Sequence, residues 1–257
     1  MRKFGLYLLT LLILSSCATV PFTQRKQLIL IDPQTELALG LEVREEILKK
    51  AKICKDPRIV NMVNKVGWRI AEATGRTDLP WEFTVIDDPE TANAFCLPGG
   101  KVFVYTGILK YTRDENGLST VLAHEIGHAI ARHGAERLSM LLVAQVGEDA
   151  LAAALEKGSE ARSKAFLIAY GLGAQLGVIL PYSRIQEYEA DHLGLIFMAK
   201  AGYDPRGALV FWNRMLREQK GYKIPEFLSD HPTDEKRIEA IKRLLPEALT
   251  YYHPENK

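Results

Sequence analysis

This chain lacks an excess of charge of either sign. Its 33 lysines and arginines stand against 32 aspartates and glutamates, a formal net charge of +1 over 257 residues. Bulk electrostatics therefore favours neither nucleic acid nor an acidic substrate as a partner. Cysteine is scarce, three residues in all, which allows at most one internal disulfide. Internal repeats and low-complexity tracts are missing too, which argues against a solenoid or a biased linker. The clearest apolar run, Phe4 to Leu14, is too short to span a bilayer comfortably. What remains is the composition of an ordinary globular protein, with room for one sizeable domain.

The chemistry is concentrated in His124-Glu125-Ile126-Gly127-His128. Residues four apart on a helix share a face, because a turn takes about 3.6 residues. Two imidazoles so placed can share a Zn²⁺, and the glutamate between them can reach a metal-bound water. Val121, Leu122 and Ala123 precede the motif and Ala129, Ile130 and Ala131 follow it, which suits a buried helix. This helix is expected to start near Asp114 or Ser119 and to end at Gly134. A metzincin would carry glycine and histidine where Ala131 and Gly134 stand, so that class is excluded. His133 falls off the ligand face of a continuous helix and reads as a surface or capping residue.

A catalytic zinc site needs a third protein ligand. The segment Ser183 to Asp191 supplies one, because Glu187 and Asp191 are again four apart. Glu187 completes a His₂Glu set of the gluzincin type. Asp191 is placed to accept the second ring N–H of a ligand histidine, which fixes its tautomer. Glu189 points to the opposite side of that helix and is the weaker ligand candidate.

These two motifs, with Asn93-Ala94-Phe95-Cys96-Leu97-Pro98-Gly99-Gly100 upstream, resemble the M48 zinc metallopeptidases, a group that includes Ste24-, Oma1- and HtpX-like proteins. The bacterial lipoprotein-type and periplasmic members are the nearest match. The resemblance runs from about Leu28 to Leu245, with the motifs in family order. It implies His124, His128 and Glu187 as ligands of one Zn²⁺ and Glu125 as general base and acid. The implied fold is α+β and mainly helical, a gluzincin-type domain with a small sheet beside the HExxH helix. His231-Pro232 resembles the family's C-terminal motif. His231 then either donates to a developing oxyanion or caps the open zinc position as an inhibitory ligand, unless it merely begins a helix.

At the N-terminus, Met1-Arg2-Lys3 and the apolar run form a signal sequence, and Leu14-Ser15-Ser16-Cys17 resembles a bacterial lipobox. This predicts a signal peptide over 1–16, a lipidated Cys17 with a linker over 17–27, a metallopeptidase domain over 28–250 and a tail over 251–257. An uncleaved anchor is the competing reading. With alanine at position 18, the lipoprotein sorting pattern implies the outer membrane, facing the periplasm. Cys54 and Cys96 are left as a possible disulfide, permitted in an oxidising compartment.

Along the chain, helices are expected from Pro33 and over 57–73, and strands over 81–86 and 101–105. A short helical turn should cover 107–111. Two helices should lie between Leu138 and Leu180, the later one (165–180) serving as core, lid or membrane contact. Further helices should start at Ser183, Pro205 and Asp234. The strand carrying Val102, Phe103, Val104 and Tyr105, shaped by Asn93, is expected to hold substrate as an added edge strand. Arg184 and His192 read as structural.

Together these features point to an endopeptidase for unfolded or misfolded envelope proteins, tied to the membrane by its lipid, with no nucleic-acid partner. Two other classes compete with it. One is a chaperone-like assembly factor with low or latent proteolysis. The other is a scaffold with a structural zinc, which would have no use for Glu125. Sequence alone leaves the oligomeric state open.

Overall fold

The computed structural model describes residues 17–144, 160–170, 182–219 and 224–254. The chain begins with a two-stranded antiparallel hairpin, β1 (Cys17–Thr19) and β2 (Lys26–Leu28). Two helices follow, α1 (Pro33–Lys50) and α2 (Pro57–Ala73). Each is capped by an aspartate whose side chain accepts first-turn amides, with proline at the first position, the local pattern that starts a helix. Next come β3 (Glu82–Ile86), β4 (Ala94–Leu97) and β5 (Lys101–Tyr105). A 3₁₀ turn over Thr106–Ile108 leads into α3 (Leu109–Thr112) and α4 (Glu115–Ile130). The rest is helical: α5 (His133–Ala144), α6 (Glu160–Ala169), α7 (Arg184–Lys200), α8 (Gly207–Glu218), α9 (Glu226–Asp230) and α10 (Glu235–Leu249).

The three-stranded sheet has the order β3-β5-β4, with β3 parallel and β4 antiparallel to β5. Its side chains alternate between two cores, as a pleated strand requires. Phe83, Val85, Ala94, Cys96, Val102 and Val104 join α2, α4, α7, α8 and α10 in the larger core. Phe95, Leu97 and Phe103 join α1, α5 and α6 in the smaller one. Helix α4 lies against the larger core, and every residue from Gly117 to His128 is buried.

The architecture is the expected mainly helical α+β domain, with several local differences. The strand expected to be an edge, Val102 to Tyr105, is central and paired on both sides. Among the described residues, the strand with a free outer edge beside the HExxH helix is β4. Residues 19–25, expected to be a linker, form the turn of the hairpin, with Val20 fully buried. Helix α4 ends three residues early, because Arg132 adopts a left-handed conformation (φ 58°) and a new helix starts at His133. That turn is anchored by the Arg132 guanidinium on Glu36, at 2.6 and 2.8 Å. Cys54 and Cys96 are both free and buried, so the possible bridge between them is not formed. Of the 165–180 helix, only 165–170 are described; they close α6, with Phe166, Ala169 and Tyr170 in the smaller core. Its remainder, like the 1–16 signal segment, lies outside the described residues. No described helix is long and apolar enough to cross a membrane.

Candidate metal centre

Helices α4 and α7 pack closely along their length, and small residues allow it. A Cβ on Gly127 would meet the Ala190 carbonyl oxygen at 2.9 Å, and one on Gly194 would meet Ala123 at 3.2 Å. With no side chains between them, the backbones approach closely, and the histidines of α4 face the carboxylates of α7 directly. Ser183 starts α7 with a full capping box to Gln186, which sets Glu187 in the first turn.

Four donors converge there. His124, His128, Glu187 and His231 each offer a ligand atom, all within 4.8 Å of one another and all buried. His124 Nε2 lies 3.1 Å from His128 Nε2 and 3.2 Å from His231 Nδ1. Glu187 Oε1 lies 3.0 Å from His231 Nδ1 and 3.3 Å from His128 Nε2, and Glu187 Oε2 lies 3.5 Å from His124 Nε2. Tetrahedral zinc, with bonds of about 2.0–2.2 Å, spaces its ligand atoms about 3.3–3.6 Å apart. The separations above, 3.0–3.5 Å, are at or slightly below that spacing.

The surrounding groups call for a cation at the centre. Burial alone would lower the pKa of His124, but Glu187 and Asp191 override it and raise it to about 9. Glu187 is held well below the usual carboxylate range; burial opposes this, and the charges of Arg237, His231 and His124 prevail. Burial keeps His128 neutral and lowers His231 to about 4. The outer partners then fix which ring nitrogen faces inward. Asp191 Oδ1, 3.0 Å from His124 Nδ1, accepts a hydrogen bond there and leaves Nε2 as the ligand atom. The donor set of two imidazoles and a carboxylate, with a third imidazole beside them, fits zinc.

Glu125 stands next to this cluster and outside it. Its Oε1 is buried, accepts no hydrogen bond and lies 3.3 Å from His231 Nε2. Burial pushes its pKa up to about 8; His124 opposes, while Glu187 and Asp230 add to the rise. A carboxylate poised near neutrality is suited to taking and returning a proton.

Three residues of the site had not been singled out from sequence as parts of it. Arg237 is buried on α10 and pairs with Asp191 at 2.7 and 2.9 Å, and also with Glu187. Its guanidinium lies 3.7 Å above the Trp212 ring and donates to the Pro232 carbonyl at 3.1 Å. Tyr182 stacks on His231 and Phe227 packs against it at a tilt, with centroids 5.2 and 4.6 Å away. His133, expected at the surface, is fully buried and bonds His128. Helical geometry does not apply to it, because the turn at Arg132 swings it back towards the site. Glu189 is no ligand, as expected, but its carboxylate holds His133 at 2.9 Å. Arg184 pairs with Asp234 and His192 with Glu247, both at the surface. Asn93 Oδ1 accepts from the Ala94 amide at 2.8 Å, at the start of β4. Cys96 on that strand lies close enough to Glu125 for the carboxylate to help burial raise its pKa.

Residues 57–245 match the family described as Peptidase family M48. The chain belongs to that family. It is 43% identical over 187 residues to the Mitochondrial metalloendopeptidase OMA1 of Schizosaccharomyces pombe, covering 72% of this chain and 53% of that protein. The human Metalloendopeptidase OMA1, mitochondrial, is 34% identical over 249 residues, covering 89% of this chain and 46% of its own length. The Beta-barrel assembly-enhancing protease of Escherichia coli is 28% identical over 211 residues, covering 79% and 42%. The chain spans about half the length of the curated relatives it matches. M48 peptidases use zinc, and the four-donor cluster is able to hold one such ion.

Because the ion would be shared by buried groups that only the folded chain brings together, its removal should destabilise the protein. Ligand at one hundred times its dissociation constant stabilises by about 2.7 kcal/mol. A melting temperature measured with and without chelator should fall on chelation and recover with added zinc. An identical melting temperature in both states counts against the site.

Proposed function

We propose that this chain is a zinc-dependent endopeptidase that hydrolyses peptide bonds in unfolded or damaged proteins of the bacterial cell envelope. The observation that carries the reading is the buried cluster of His124, His128 and Glu187 with Glu125 at its side. When bound there, zinc supplies an acidified water and polarises the scissile carbonyl. Glu125 takes the water's proton and returns it to the leaving amine. The substrate enters as an extended segment along the free edge of β4, where main-chain hydrogen bonds demand little sequence. The lipid anchor at Cys17 and the periplasmic face of the outer membrane belong to the same proposal. They rest on the N-terminal pattern. Cleavage of a reduced, unfolded protein should disappear with chelator and return with zinc; cleavage that survives full metal removal would refute the reading.

One observation favours a latent form of this enzyme. His231 Nδ1 lies among the ligand atoms, where it would fill the position that a catalytic zinc site keeps open for water and substrate, and its ring packs against Tyr182 and Phe227. We infer that His231 is an inhibitory ligand. His231→Ala should therefore cleave faster than the unmodified protein at equal zinc content. Slower cleavage at equal zinc content assigns His231 to oxyanion stabilisation instead. A closed fourth position also fits an assembly factor that binds client strands and cuts rarely. The Beta-barrel assembly-enhancing protease of Escherichia coli, similar to this chain, suggests barrel assembly as one setting for such a factor.

A further inference from the structure

The zinc reading leaves one feature unused, a chain of polar contacts running from His128 to the N-terminal hairpin. His128 Nδ1 lies 2.8 Å from His133 Nδ1, and His133 Nε2 lies 2.9 Å from Glu189 Oε2. An ionised carboxylate only accepts, so His133 carries its proton on Nε2 and presents a bare Nδ1 to His128. His128 must then donate from Nδ1, which leaves its Nε2 lone pair for the cluster.

The hairpin supplies the outer end. Arg25 Nε donates to Glu189 Oε2 at 2.7 Å, and Thr23 Oγ1 donates to the other oxygen. Arg25 also grips Glu136 at 2.6 and 2.9 Å. Glu136 accepts from Gln186 at 2.7 Å, and Gln186 closes the capping box just before Glu187. Gln27 donates to the Ala131 carbonyl at the end of α4, at 2.7 Å. Residues 23–27 therefore touch the supports of both ligand helices.

We propose that His133 and Glu189 are positioning residues that fix His128 as a metal ligand, and that Arg25 completes this support from the hairpin. The strength of the metal site is then set in part by whether residues 17–28 are docked. This rests on the zinc reading of the cluster. Groups that orient a ligand histidine contribute about 10- to 100-fold to metal affinity or activity.

The test uses the full chain and a zinc competition assay against a chromogenic chelator, with visible absorption of the Co²⁺-loaded protein as a second readout. Glu189→Ala should weaken zinc by roughly 10- to 100-fold and shift the Co²⁺ bands. Glu189→Gln should recover most of that loss, because its amide oxygen still accepts from His133. Arg25→Ala should weaken zinc by less, and its effect should shrink in the Glu189→Ala background, where only its route through Glu136 remains. Wild-type affinity and an unshifted Co²⁺ spectrum in Glu189→Ala and Arg25→Ala would overturn the proposal while leaving the zinc reading intact. If Glu189→Ala does not fold, Arg25→Ala at the surface decides by itself on the same two readouts. Absence of zinc binding by the unmodified chain overturns the zinc reading, and this proposal with it.

Discussion

Glu125→Gln is expected to retain its zinc and lose nearly all cleavage. The substitution keeps the shape of the side chain and removes its basicity. Glu125 is not among the four clustered donors, so metal content should stay at the wild-type level. A positioned general base contributes about 10²- to 10⁴-fold, and the rate on an unfolded protein should fall by that order. Burial has already raised the Glu125 pKa to about 8, so this carboxylate is easily protonated even without an ion. The measurement is a protease assay on both proteins beside metal analysis. Equal rates at equal zinc would sink the assigned mechanism. Loss of zinc together with activity would make Glu125 a ligand rather than a base. The assay also separates the competing functions, since a scaffold with a structural zinc or a factor that only binds clients has no rate to lose.

The second large effect is expected at Arg237. Its guanidinium lies between Glu187 and Asp191 with about 2% of its side chain exposed. Arg237→Met keeps most of the packing over Trp212 and removes the guanidinium that pairs with both buried carboxylates. Removing one partner of a buried ion pair costs about 3–5 kcal/mol. For a domain of this size each kcal/mol moves the melting temperature by roughly 2–4 °C. The metal-free variant should therefore melt roughly 6–20 °C below the metal-free wild type. Added zinc should return part of the difference, because a cation on Glu187 offsets some of the unbalanced charge. A metal-free variant that melts within a degree or two of wild type would show that Arg237 contributes little.

Parts of the site that lie on one helix were readable from the chain. His124 and His128, then Glu187 and Asp191, each declare a shared face by their spacing, and Ser183 and Asp114 declare the helix starts that present them. Arg237 was harder to see, because it sits in a run of charged residues that resembles a solvated surface. The signal was its register: Arg237, Ile241 and Leu245 are successively four apart and all lie on the buried face of α10. A charge within an apolar stripe needs a buried counter-charge, and two carboxylates provide it. His133 was misplaced because a non-glycine residue, Arg132, takes the left-handed turn that ends α4, and its anchor Glu36 is far away in sequence. The order of strands escaped for a similar reason. Whether β5 is central or at the edge depends on which elements pair, and no local pattern within Lys101 to Tyr105 encodes that.

The close crossing of α4 and α7 also bears on when the chain becomes dangerous to its neighbours. Its metal-binding groups come from segments some sixty residues apart, and they meet only after Gly127 has settled against Ala190. A newly synthesised polypeptide, or one partly unfolded by heat, holds an incomplete set of donors and no hydrolytic capacity. On the proposed function, destructive chemistry is thus confined to molecules that have finished folding.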